Sequence, residues 1–253
     1  MPIVIVPTAA DVSEHLADRT ADALRAVLAT RARATLCLTG GSTPVSAYER
    51  LATAEGIEWD RVHLFWGDER AVGPESPDSN AGMALRTLVA PAGIPASNVN
   101  RIEGERGAQE AARRYESRLE QTFGNAPARF DVLHLGMGAD GHVASLFPGS
   151  AALGATDRRV VATEAPTGMA VRDRITLTLP VLRRAAVTIL AAAGADKRVA
   201  LTAAFAADPP PAGRPPAGRI APDDGEMMWI LDAALASGIV SADSVAETGP
   251  AEG

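Results

Sequence analysis

The feature that most constrains the fold is an alternation of short apolar, often β-branched runs with longer stretches of helical periodicity. Ile3–Val6 reads as a strand, and Asp11–Thr30 as an amphipathic helix with Val12, Leu16, Leu24, Val27 and Leu28 at helical spacing. Further strands are expected at Thr35–Leu38, Val62–Trp66, Val132–Leu135, Ile175–Leu179, Val187–Ala191 and Met228–Leu231. Helices are expected at Val45–Ala52, Ser79–Val89, Ala108–Phe123, Asp196–Phe205 and Asp232–Ala236. Such alternation builds βαβ units, in which helices cover both faces of a mostly parallel sheet. The expected class is α/β and Rossmann-like, and 253 residues without an internal repeat fit one domain over 1–253. The proline-rich segment Pro209–Pro216 reads as a surface loop and the tail after Gly238 as a frayed end.

Composition narrows the partners. With 24 Lys and Arg against 31 Asp and Glu, the net charge is −7, a poor match for nucleic acid or an anionic membrane. Aromatic residues are only 4%, too few for a base-stacking surface. No run approaches the ~20 apolar residues needed to span a bilayer, and the N-terminus lacks the basic start of a signal peptide. The single Cys37 sits in an apolar run and has no internal disulfide partner, so a reducing, cytoplasmic setting is expected. The expected partner is a small molecule; the sequence leaves the oligomeric state open.

Open α/β sheets bind ligands at the carboxyl ends of their strands, so the loops there hold the candidate chemistry. The first is Thr39-Gly40-Gly41-Ser42-Thr43-Pro44. Its glycines allow close backbone approach, Ser42 or Thr43 suits a helix cap, and the free amides of Gly41, Ser42 and Thr43 suit a phosphate. A plain strand-to-helix turn accounts for the pattern equally well. The second, Gly67-Asp68-Glu69-Arg70, offers Asp68 and Arg70 at a strand's end, where an arginine can bind an anion or a developing oxyanion. Alone it reads as a solvated loop with a local ion pair. The third, Leu135 through Pro148, carries Asp140-Gly141-His142 after a buried strand. A histidine beside a carboxylate has its tautomer set and can act as a general base near neutral pH. A structural turn held by the aspartate is the plainer reading, and the loop's position favours chemistry. Arg174 leads into a strand, and Lys197 falls in a helix's first turn, where a cation opposes the helix dipole unless an anion binds there.

The other histidines point elsewhere. His134 lies in a buried strand, His63 in another, and His15 on a helix surface; none has metal-ligand spacing, so no metal is expected. Gly41-Ser42-Thr43-Pro44 lacks the second glycine of a nucleophile elbow, which argues against a serine triad.

Taken in order, these loops resemble those of the 6-phosphogluconolactonase family, within the larger fold group of glucosamine-6-phosphate deaminase and ribose-5-phosphate isomerase. The matching stretches are Leu38–Pro44, Gly67–Arg70 with Ser79-Asn80, Leu135–Pro148, Arg174–Thr178 and Gly194–Lys197. The resemblance implies hydrolysis of 6-phospho-D-glucono-1,5-lactone to 6-phosphogluconate in the oxidative pentose phosphate pathway, without metal or organic cofactor. It implies His142 as the base that activates water, Asp140 as its orienting partner, and Arg70 at the oxyanion or substrate. Gly41–Thr43, Arg174 and Lys197 are implied at the phosphate, with Asp68 among the substrate contacts. One departure is visible: where the family often has a Lys-Pro-Pro-rich stretch, residues 165–173 contain no lysine and carry Arg172. A deaminase of the same fold group would carry an acid shortly after its Gly-His; residues 143–156 have none. A sugar-phosphate sensor would need a DNA-binding module, and this chain enters its first strand at Ile3.

Overall fold

The computed structural model describes residues 2–206, 208 and 213–238. β1 (Ile3–Val6) leads into α1 (Ala9–Leu28), whose start is fixed by a reciprocal cap: Thr8 Oγ1 accepts from the Asp11 amide, and Asp11 accepts from the Thr8 amide. Then follow β2 (Ala34–Leu38), α2 (Ser42–Ala52), β3 (Val62–Trp66) and β4 (Asp68–Arg70). α3 (Asn80–Ala84) passes through a π turn at Leu85–Val89 into α4 (Ala90–Ala92), after which Gly93 turns left-handed. Next come α5 (Ala108–Phe123), β5 (Phe130–Leu135), β6 (Val160–Glu164), β7 (Asp173–Leu177) and α6 (Leu179–Leu182). β8 (Ala185–Ala192), α7 (Arg198–Phe205), β9 (Glu226–Asp232) and α8 (Ala233–Ala236) complete the described chain.

Six strands form one parallel sheet in the order β1-β9-β8-β5-β2-β3. The inner strands β2 and β5 are buried at every residue, as strands covered on both faces are. α1 packs on α2 and lies across β5, β8 and β9. Phe123 of α5 meets Phe65 of β3 and Phe130 of β5, with ring centroids 5.3 to 5.8 Å apart. On β9, Trp229 meets Phe205 of α7 in a tilted ring contact, 4.9 Å between centroids. Such aromatic packing and the apolar strand faces are the main source of stability.

β5 carries two buried polar residues, and both are satisfied: Asp131 accepts from the Thr35 amide and hydroxyl, each at 2.8 Å. His134 is 1% exposed; its Nε2 lies 2.7 Å from Thr20 Oγ1 and its Nδ1 3.3 Å from Tyr48 Oη. Burial pushes the imidazole down to about 3, so it is a neutral core residue, as its strand position implied. Cys37 is likewise buried, and burial pushes its thiol up.

Several expectations are corrected. The segment read as the loop Gly67–Arg70 contains a strand: β4, β7 and β6 form a second, antiparallel sheet in the order β4-β7-β6. The strand expected to run to Leu179 ends at Leu177, because Pro180 occupies the first turn of α6 and Thr178 precedes it as the N-cap. α2 begins at Ser42 rather than Val45, so neither Ser42 nor Thr43 caps it. Gly41 is the N-cap, at φ 110°, and supplies no side-chain cap. Of the proline-rich segment, 209–212 lie outside the described residues. Pro216 is not on the surface but buried, and the Ala217 amide donates to the Gly141 carbonyl at 2.9 Å. The tail after Gly238 also lies outside the described residues. Among the described residues, no helix is long and apolar enough to cross a membrane.

Candidate active site

The order of strands decides which loops meet. β5 lies between β8 and β2, with β3 beyond β2. The loop bearing His142 therefore has Lys197, after β8, on one side and Gly41–Thr43, after β2, on the other. From β3 the chain passes through Gly67 straight into β4, which carries Asp68 and Arg70. These segments converge: Gly41, Ser42, Thr43, Asp68, Arg70, His142, Arg174 and Lys197 line one cleft of about 290 Å³. Of the residues singled out from sequence, Asp140 alone stands outside the cleft, behind His142.

The His142 loop is tightly wound. Gly138 donates to the His142 carbonyl at 3.0 Å and accepts from Gly141 at 3.0 Å. A side chain at 138 would begin 2.2 Å from the imidazole, so glycine is required there. Asp140 Oδ1 lies 2.6 Å from His142 Nδ1 and accepts the His142 amide at 3.1 Å. An ionised carboxylate at that distance selects the tautomer protonated on Nδ1, leaving Nε2 as acceptor. Phe147 packs on the ring at 4.7 Å between centroids. The imidazole is thus oriented by a charge on one nitrogen and an apolar wall, with its side chain 24% exposed. That arrangement can take a proton from water.

Positive charge faces this histidine. Arg70 and Arg174 are direct partners across β4 and β7. Like charges placed opposite each other in an antiparallel pair destabilise it. Burial, and after it the neighbouring Arg70, pulls the Arg174 guanidinium down from its ordinary value, against Asp68, Glu69 and Asp78. Arg174 Nε donates to the Val171 carbonyl at 3.0 Å, and Nη2 reaches Met169 Sδ at 3.7 Å. Arg70 gives one N–H to the Asp78 carbonyl, while its buried Nε has no partner. The Lys197 ammonium makes no hydrogen bond or close ion pair among the described residues; burial pulls it down, opposed by Asp196 and Asp232. Three under-compensated cations and the uncapped amides at the start of α2 suit an anion.

Sequence reasoning passed over several contributors. Asn80 Nδ2 donates to Asp68 Oδ1 at 3.2 Å and to its carbonyl at 3.0 Å; Ser145 Oγ donates to Asp68 Oδ2 at 2.6 Å. Glu69, 1% exposed, accepts from the amides of Arg70, Asn80 and Ala81 and from Ser79 Oγ, which fastens β4 to the first turn of α3. Burial pushes its carboxyl up, opposed by those four donors. Asn80 and Ser145 lie inside the motif stretches, but their partners are distant in sequence. Nothing local signals those contacts.

Parallel sheet, appended antiparallel sheet and cationic cleft together define an α/β protein with a site suited to an anion at the strand ends. The particular family follows from comparison with known proteins. The model of the family described as glucosamine-6-phosphate isomerases/6-phosphogluconolactonase matches residues 7–229, and the chain belongs to that family. It is 40% identical over 206 residues to a 6-phosphogluconolactonase of Nostoc sp., covering 80% of this chain and 83% of that one. It is 38% identical over 223 residues to that of Mycobacterium tuberculosis, covering 85% and 88%. Among solved structures, a 6-phosphogluconolactonase from Trypanosoma cruzi superposes with a TM-score of 0.84 at 27% identity, over 95% of this chain and 97% of that one. A monomeric glucosamine-6-phosphate deaminase shares the fold, with a TM-score of 0.75 at 19% identity over 94% of this chain and 99% of that one.

Proposed function

We propose that this chain is a cytoplasmic, single-domain enzyme over 1–253 that hydrolyses 6-phospho-D-glucono-1,5-lactone to 6-phospho-D-gluconate, without metal or organic cofactor. The observation that carries the reading is the meeting, in one cleft, of His142, held from outside it by Asp140, with the Arg70–Arg174 pair. Relatives named 6-phosphogluconolactonase, one of them 40% identical, support it. A lactone is an ester, and its hydrolysis needs a nucleophilic water, a base, and charge stabilisation on the carbonyl oxygen. His142 Nε2 takes the proton from water as the oxygen attacks the carbonyl carbon. Asp140 holds Nδ1–H and stabilises the imidazolium that results. Arg70 meets the oxyanion, and its unpartnered Nε is a donor in reserve. The tetrahedral intermediate then expels the ring oxygen, which recovers the proton from His142, and the open acid leaves ionised.

Arg174, Lys197 and the amides of Gly41, Ser42 and Thr43 hold the phosphate. Asp68 accepts a sugar hydroxyl. A deaminase or isomerase is disfavoured by the segment after His142. There Val143–Phe147 is apolar apart from Ser145, whose hydroxyl is committed to Asp68. The test is a hydrolysis assay on freshly generated phosphorylated lactone, corrected for spontaneous opening. Acid release above the uncatalysed rate is expected; a rate equal to the blank, or ammonia release from glucosamine 6-phosphate instead, contradicts the assignment.

A further inference from the structure

Ser145 belongs to the loop of the base, yet both its polar contacts leave that loop. Its hydroxyl donates to Asp68 Oδ2 at 2.6 Å, and its amide donates to Thr176 Oγ1 at 3.2 Å. Asp68 and Thr176 are themselves partners across β4 and β7, as are Arg70 and Arg174 two residues along. Alternate residues of a strand share a face, and directly opposed residues of an antiparallel pair share one too. Asp68, Thr176, Arg70 and Arg174 therefore stand on one face of the small sheet, and Ser145 is docked on it beside the two arginines. The residue before it, Ala144, is the only non-glycine residue at positive φ among those described, at 48°. With the bridge between Val143 and Leu146, this turn delivers the Ser145 amide and hydroxyl to the sheet together. Ser145 is 1% exposed and Asp68 is 6% exposed, so water competes little for the contact. Asn80 holds the other oxygen of Asp68, so the acceptor cannot swing away.

We propose that Ser145 is a positioning residue: it registers the loop carrying His142 against the arginine-bearing face and so sets the span between the base and the oxyanion donor. The inference rests on the lactonase reading. His142 comes from the large sheet and Arg70 from the small one, and a reaction that uses both depends on how the sheets are joined. Among the described residues, Ser145 makes two hydrogen bonds between the His142 loop and the face of Arg70 and Arg174. A small error in such a span costs rate while leaving the phosphate site, built from other segments, intact.

The test is steady-state hydrolysis of the phosphorylated lactone by wild type, Ser145→Ala, Asp68→Asn and the double variant, with inorganic phosphate as a competitive inhibitor. Ser145→Ala is expected to lower kcat by ~10-fold or more, with KM and the phosphate inhibition constant within about threefold of wild type. Asp68→Asn weakens the same contact and, because Asp68 also meets the sugar, raises KM as well; the kcat of the double variant is expected to be no lower than that of the slower single. Thr176→Val removes the second acceptor without changing shape, and the same split of kcat from KM is expected; it serves if Ser145→Ala does not fold. An unchanged kcat with only a lower melting temperature overturns the proposal in favour of a purely structural role. Weaker phosphate inhibition in step with kcat overturns it in favour of a place in the anion site. A wild-type protein without lactonase activity removes the underlying reading, and that result is distinct from either.

Discussion

At the scale of the residue, two groups of side chains in the cleft have separable tasks. His142, held by Asp140 at 2.6 Å, is the proposed base. Its removal is expected to lower kcat by at least ~10²-fold, the usual size of a lost general base. Circular dichroism should show an unchanged fold, and near-wild-type turnover by folded His142→Ala would take the residue out of the mechanism. Arg174 and Lys197 are expected to act on binding. Both are pulled down by burial, so each gains when an anion arrives. Arg174→Ala and Lys197→Ala should each raise KM by roughly 10- to 100-fold, as a lost charge-assisted hydrogen bond of about 1.5–3 kcal/mol does. A fall in kcat at constant KM would instead place them at the transition state.

At the scale of the element, the strand-end loops were readable and their tertiary partners were not. The strands of the parallel sheet announce themselves by continuous apolar runs, and the Asp140-Gly141-His142 turn by its position after one of them. β4 gave no such signal. It consists of Asp68, Glu69 and Arg70, three charged residues with no apolar alternation, and is a strand because β7 pairs with it. The start of α2 was misplaced for a related reason. A side-chain cap is the usual signal, yet here Gly41 begins the helix without one and leaves the first amides open. The close fit between elements yields a prediction. A Cβ at Gly40 would lie 1.9 Å from Asn80 Oδ1, so Gly40→Ala must push Asn80 off Asp68. Displacement near a site by about 1 Å can cost on the order of 10²-fold in rate. A loss of at least ~10-fold in kcat/KM is expected on that basis, and Asn80→Ala should reproduce most of it. Full activity of Gly40→Ala would show that Asn80 has no part in holding Asp68.

At the scale of the whole molecule, the buried His134 links stability to pH. Its folded value, about 3, lies below the ordinary 6.5, so the unfolded chain binds a proton that the folded chain refuses. Stability is therefore intact above about pH 6.5 and declines as pH falls toward 3, by up to about 1.4 kcal/mol per pH unit. Between about pH 7 and about pH 5 this group should remove about 2 kcal/mol from the urea unfolding free energy. His134→Gln should be less stable at neutral pH yet lose correspondingly less on acidification. Equal losses in both proteins would mean that His134 does not set the acid limb.

The same scale holds the central claim, the proposal that the cleft, drawn from both sheets inside a chain of net charge −7, is built for an anion. Arg70 and Arg174 oppose each other, the Lys197 ammonium has no hydrogen-bond acceptor among the described residues, and the first amides of α2 have no side-chain cap. On the proposed reading, a phosphate on the substrate compensates Arg174, Lys197 and those amides at once, and its binding energy positions the lactone carbonyl between His142 and Arg70. The most direct test compares kcat/KM for 6-phosphoglucono-1,5-lactone and glucono-1,5-lactone at equal pH and buffer, each corrected for spontaneous opening. The phosphorylated lactone is expected to be favoured by at least ~10²-fold, the loss of two charge-assisted contacts being worth about 3 kcal/mol or more. Values within about tenfold of each other, roughly 1.4 kcal/mol, would contradict a cleft built around phosphate.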